Sequence, residues 1–192
     1  AGYARYFTPP ATEKISRETV ALFMGTTGAP PSIGNDPVHA ERSHYFDLGL
    51  STQLVPSLTL GLDGYFRSIS ELADEGQFGP ALLFAPFNFA KGRIYGVEST
   101  LSWRHASSSA YLNAAWGRAS GQNIVSGQYN FSLDELAAIA ANAVPLDHDQ
   151  RLTASAGVTH TLREVTLSFD AIAGTGLRRG YLNADCLLYT SD

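Results

Sequence analysis

Apolar and polar residues alternate one by one through six stretches of the chain, residues 44–54, 58–68, 93–105, 110–119, 150–161 and 165–174. A period of two predicts β-strands with one apolar and one polar face. In the first stretch Phe46, Leu48, Leu50, Thr52 and Leu54 share one face, and Asp47, Gly49, Ser51 and Gln53 share the other. The second sets Leu58, Leu60, Leu62, Gly64 and Phe66 against Thr59, Gly61, Asp63, Tyr65 and Arg67. The third sets Tyr95, Val97, Ser99, Leu101 and Trp103 against Gly96, Glu98, Thr100, Ser102 and Arg104. The other three keep the pattern. The polar face is rich in Gly, Ser, Thr and Asn, and it carries charges in mid-strand.

The connections fall into two kinds. Val55-Pro56-Ser57, residues 106–109 and Leu162-Arg163-Glu164 are tight turns, whereas residues 69–92 and 120–149 read as long loops, as does the segment 8–43. The strands run to about 10–13 residues, against a usual soluble length of about 5–6, and a tilted membrane strand needs about 9–11. A soluble sandwich alternates too. Strand length and the turn asymmetry together favour an all-β fold: an antiparallel up-and-down transmembrane β-barrel, partial, with about six to seven strands. Tyr45, Phe46, Tyr65, Phe66, Tyr95 and Trp116 lie beside the long loops, and Trp103 and Tyr111 beside a short turn, as two interfacial girdles would.

The long loops hold the remaining signals. Ser132-Leu133-Asp134-Glu135 is a capping box, and the Ala- and Leu-rich run 133–143 ahead of Pro145 predicts a short helix in an extracellular loop. That helix is placed either to fold over the barrel mouth or to act as a spacer. In residues 69–92, Phe78, Phe84, Phe87, Asn88 and Phe89 stand among Pro80 and Pro86, and these five are the candidate ligand-facing residues. Packing of the loops on one another is the alternative role for each.

Composition narrows the classes. Of 192 residues, 44% are hydrophobic and the net charge is −5, with only two lysines, Lys14 and Lys91. No basic stripe suggests nucleic acid, polybasic membrane docking is not expected, and no run approaches the roughly 18 apolar residues of a membrane helix. Asp147-His148-Asp149 invites a metal reading. Three adjacent residues on a strand cannot all face one ion, so the segment reads as a polar junction. His39, His44, Glu41 and Asp36 form another loose group, read the same way. Gly174-Thr175-Gly176-Leu177-Arg178-Arg179-Gly180 lacks the βαβ setting of a dinucleotide loop and reads as a loop at the barrel rim. There is no G-x-S-x-G elbow or triad spacing. No enzyme, metal or cofactor is expected.

The ends read as cut. The chain starts Ala1-Gly2-Tyr3 without Met or a signal peptide, and Tyr3-Ala4-Arg5-Tyr6-Phe7 reads as the end of a strand. Cys186-Leu187-Leu188-Tyr189-Thr190-Ser191-Asp192 looks like a translated sequencing adapter, so Cys186 is given no redox role. The expected organisation is a barrel piece over residues 1–185 and a non-native tail over 186–192.

Several stretches carry a family resemblance: Tyr6-Phe7-Thr8-Pro9-Pro10, Glu41-Arg42-Ser43-His44-Tyr45, residues 88–98 with Gly96-Val97-Glu98, Asp147-His148-Asp149-Gln150, and Gly174-Thr175-Gly176-Leu177-Arg178. In this order they resemble the C-terminal part of the barrel of TonB-dependent outer-membrane receptors. The resemblance implies a piece of a plugged barrel of about 22 strands. It implies active import across the outer membrane of a Gram-negative bacterium, with a scarce nutrient or metal chelate, such as a ferric siderophore, as ligand. The partners it implies are outer-membrane lipid and the TonB complex, the latter acting through a plug outside this chain. The competing readings are a passive porin-like barrel, a soluble β-sandwich carbohydrate-binding module and an outer-membrane hydrolase with its site at the rim.

Overall fold

The computed structural model describes residues 1–10, 21–29, 36–77, 84–177, 179–183 and 186–190. The strands are β1 (Gly2–Thr8), β2 (Glu41–Val55), β3 (Leu58–Gln77), β4 (Phe84–His105) and β5 (Ser108–Ser126). Helix α1 (Leu133–Ala141) and the two-residue β6 (Val144–Pro145) precede β7 (Leu152–Leu162) and β8 (Val165–Gly174). The strands β1, β2, β3, β4, β5, β7 and β8 lie side by side in chain order, each antiparallel to the next. The sheet is an open, up-and-down wall with β1 and β8 at its edges. A separate two-stranded sheet pairs β9 (Arg179–Asn183) with β10 (Cys186–Thr190).

Tight turns join the strands at one end. Pro56-Ser57, Ala106-Ser107 and Arg163-Glu164 are two-residue connections. Ala106 (φ 48°) and Arg163 (φ 57°) take the left-handed conformation that hairpin turns demand.

At the other end the sequence expectation needs correction. Residues 69–92 are not a loop: β3 runs on to Gln77 and β4 already begins at Phe84. Likewise β5 runs to Ser126, deep into the predicted loop 120–149. The alternation stops being legible there because the backbone breaks phase. Glu71 (φ 56°) and Asn123 (φ 60°) are left-handed, and the β4–β5 register shifts at Asn88/Phe89. Each irregularity sends later side chains to the other face, so Ile69 and Leu72, three apart, are both buried on the same side.

The two faces differ in kind. On one, Leu48, Leu50, Leu167 and Phe169 are 69%, 62%, 67% and 68% exposed. A contiguous apolar surface of this extent calls for an apolar medium outside it. The packed core is elsewhere. Ile69, Leu72, Phe87, Phe89, Ile124, Ile139 and Val144 are buried together at the long end of the sheet. Ile69 continues the phase of Tyr65 and Arg67, so this core lies on the polar side of the wall. Leu72 lies against Gly92 and the Phe89 ring against Gly121, where a Cβ would collide with them. Helix α1 closes the core through Ile139 and Leu136. Its capping box is formed: the Glu135 N–H donates to Ser132 Oγ (3.2 Å) and the Ser132 N–H to Glu135 Oε2 (2.7 Å). The predicted girdles are halved by the same phases. Phe46, Phe66, Tyr95, Trp116 and Trp103 stand on the apolar face, whereas Tyr45, Tyr65 and Tyr111 point to the polar side.

Candidate functional site

The long ends of β3, β4 and β5, with α1 and β6, form a crown over the polar face. Its centre is Asn88, which is fully buried. Asn88 Oδ1 accepts the His39 N–H (2.8 Å) and the Ser126 hydroxyl (2.7 Å). Its Nδ2 donates to the Glu71 carbonyl (2.9 Å) and the His39 carbonyl (3.2 Å). One carboxamide thus ties the approach to β2, the kink in β3 and the end of β5. Every polar atom in the node is paired, as burial requires.

Beneath it lies a charged knot. Arg67 Nη2 donates to Glu41 Oε1 (2.5 Å) and Arg67 Nε to Ser43 Oγ (2.9 Å). Glu41 Oε2 accepts the Ala73 N–H (3.1 Å), and the guanidinium rests over Tyr6. Further along the polar face, Tyr111 donates to Asp170 (2.8 Å) and Asn113 to Ser155 (3.2 Å). A groove of about 350 Å³ near the tight turns includes Thr59, Ser102, Arg104 and Tyr111 in its lining.

The five sequence candidates separate here. Phe84 stands on β4 and is 50% exposed. Phe87 and Phe89 are buried packing residues, edge to face at 5.2 Å, and Phe87 meets Phe131 at 4.9 Å. Asn88 is the hydrogen-bonded pin just described. Phe78 lies outside the described residues. Phe84, Phe87 and Phe89 sit on a strand and not on a loop, and three of the five positions hold the crown together.

One grouping escaped the sequence. Asp74, Asp147 and His148 bring a ligand atom each within 4.8 Å of one another. His148 Nδ1 is 2.5 Å from Asp147 Oδ1. Oxygen and imidazole donors in this arrangement suit a divalent cation, although Asp147 and His148 are exposed. The third residue of the sequence triplet goes elsewhere: Asp149 is buried and accepts the Ala119 N–H (2.8 Å) and Arg151 Nε (3.1 Å). Asp74 was hidden because it fell in a predicted loop. Burial pushes its carboxyl above the ordinary range; Asp147 adds to this, while the Glu75 amide and His148 pull it down. The group His39, His44, Glu41 and Asp36 is dispersed. His39 meets Glu71 (3.0 Å), Glu41 meets Arg67, Asp36 meets Gln128, and His44 stacks on Tyr3 across the sheet.

An open wall with an exposed apolar face and a polar inner side capped at one end matches what a family comparison finds. The β-barrel model of the TonB-dependent receptor-like family matches residues 1–185. The chain belongs to this family. No curated protein and no solved structure matches it. TonB-dependent receptors are transporters of the Gram-negative outer membrane. In this setting the apolar face is the lipid face, the polar face is the lumen and the crown is the extracellular mouth. At about 3.3 Å per residue, β4 from Tyr95 to Trp103 covers about 26 Å, or about 20 Å of bilayer at a tilt near 40°. That is close to the apolar band of about 25 Å such barrels carry.

Proposed function

We propose that this chain is part of the wall and outer gate of an active importer that binds a scarce nutrient, such as a ferric siderophore, outside a Gram-negative cell. The observation that carries the reading is the crown: three strands of the receptor wall rise past the lipid belt and fold a helix back over the lumen. A passive pore has less use for a packed roof on its mouth. Phe84, exposed on the crown, is the sequence candidate best placed to touch the ligand. Transport would draw on the TonB complex through a plug, and the wall itself would do no bond-making chemistry. We also read residues 186–192 as foreign to the receptor; the family match ending at residue 185 supports this.

The test is uptake by the full-length receptor carrying this wall, in a strain lacking its other iron receptors. Labelled ferric siderophores should enter only when TonB is present. Entry without TonB, or general leakage of small sugars, would establish the porin-like alternative.

A further inference from the structure

In sequence, Asp147-His148-Asp149 offers no metal site, because three neighbours on a strand cannot face one ion. The fold removes that objection. Asp149 is turned away onto β5, and Asp74 from β3 takes its place, with one ligand atom each of Asp74, Asp147 and His148 within 4.8 Å of the others. Two carboxylates and a neutral imidazole offer the charge that a dication cancels. Ala119 on β5 holds both ends of the turn that presents Asp147 and His148. Its carbonyl accepts the Leu146 N–H (3.2 Å), and its N–H donates to Asp149 Oδ1 (2.8 Å). The Asp149 N–H closes the turn onto the Leu146 carbonyl (3.0 Å).

Two further observations point to a cation. Among the described residues Asp74 meets no lysine or arginine, and its carboxylate accepts only the Glu75 N–H (2.9 Å). It also faces the inside of the crown, since it pairs with Phe87 and shares its face with Gly76. Against Gly76 lies Asn130, whose Cβ would be 3.3 Å from a Cβ added there. Both polar atoms of the Asn130 side chain are buried and without a partner. A buried carboxamide of this kind marks an ordered water or an ion beside it.

We propose that Asp74, Asp147 and His148 bind a transition-metal dication of the Zn²⁺ class, which clamps the turn between β6 and β7 to the outer end of β3. This goes beyond import and does not depend on it. The imidazole selects against Ca²⁺ and Mg²⁺, which take oxygen ligands. Zn²⁺ in an open site takes three protein ligands and a water, and water on the ion is the kind of partner that the Asn130 carboxamide lacks. Tetrahedral bonds of about 2.1 Å set ligand atoms about 3.4 Å apart. The three groups therefore close by only about 1 Å, within the reach of two exposed side chains on a turn. Asn88 ties the strands of the crown to one another; the ion ties the return from α1 to β3, and so sets how firmly the roof is closed.

The experiment uses the full-length receptor in detergent, stripped with EDTA and titrated with Zn²⁺ alone. One binding step should weaken in both Asp74→Asn and His148→Ala, by at least the roughly 10–100-fold that loss of a group merely supporting a ligand costs. Glu75→Gln, next to Asp74 but on the opposite face, should bind as the wild type does. In unaltered protein, Zn²⁺ should slow both the acylation of His148 by diethyl pyrocarbonate and amide exchange in outer β3 and residues 146–149. EDTA should restore both rates, and Ca²⁺ at the same concentration should slow neither; this readout needs no variant to fold. Unchanged affinity in the two variants, equal weakening by Glu75→Gln, or equal protection by Ca²⁺ would each overturn the proposal, the last two by making the corner a diffuse acidic patch only. None of these readouts involves transport, so the site stands or falls apart from the import reading.

Discussion

The crown is built from the outer ends of β3, β4 and β5, three of the strands that also form the lower wall, yet the two regions solve opposite problems. In the lower wall each strand is one layer thick, and its apolar side chains face outward with little protein over them. In the crown the apolar side chains turn inward and are covered by α1 and β6. The change occurs within a few residues, at the left-handed Glu71 and Asn123. Below that level the surrounding lipid supplies the apolar phase, and no second layer is needed. Above it the strands stand in water and must bury their own apolar area. The difference shows that burial within the protein is a poor guide to importance in such a wall: Leu50 faces the lipid and Phe87 is buried in protein, and both are held by the same effect.

Breaking the crown should have the largest effect. Phe87→Ala removes a buried ring that touches Phe89 and Phe131, at a cost of about 3–5 kcal/mol. The loss should be local. Amide exchange in α1 and in the outer part of β4 should quicken sharply, while β7 and β8 keep their protection. Unchanged protection of α1 would mean that Phe87 does not hold it to the wall.

The lower wall is broken from the other side. Leu50 is the middle residue of the lipid-facing set Phe46, Leu48, Leu50, Thr52 and Leu54. Leu50→Arg should cost about 2–4 kcal/mol near the midplane, measured by folding titration into lipid. Ser51→Arg, one position on and facing the lumen, should cost far less. Equal costs would show that the two faces have been assigned the wrong way round.

This division also explains what the sequence could and could not say. The lower wall was legible because one rule governs it: the bounds of β8 are those read from the alternation, and β2 and β7 differ by three residues or fewer at either end. The crown was legible only where local chemistry is complete in itself, as in the Ser132 and Glu135 box, which forms as read and ends α1 at Ala141 in place of residue 143. Its strands were missed because kinks erased their period. Asn88 and the phenylalanines beside it read as ligand-facing candidates, whereas the partners they pack and bond with, His39, Ser126 and Phe131, come from remote segments that no local pattern connects. Asp74 belongs to the same class, since only the fold brings it to Asp147 and His148.

The smallest effect sharpens the boundary electrostatically. Asp74 lies in the crown, and burial raises its carboxyl above the ordinary range, with Asp147 adding and the Glu75 amide and His148 opposing. A carboxyl raised by folding means that the folded crown binds more protons than the unfolded chain. Its contribution is therefore fully present below the ordinary carboxylate pKa and is lost as pH rises through the raised value. The outer part of β3 should then exchange its amides faster at about pH 7 than at about pH 4 once intrinsic rates are removed. Asp74→Asn should flatten that profile and leave the crown slightly firmer at neutral pH, while the lipid-facing wall shows no change in either protein. A wild-type profile already flat would mean that His148 and the Glu75 amide offset the burial of Asp74 entirely; a profile of opposite slope would make the carboxylate a stabilising partner of His148, and the acidic corner of the crown would then be held by charge and not merely tolerate it.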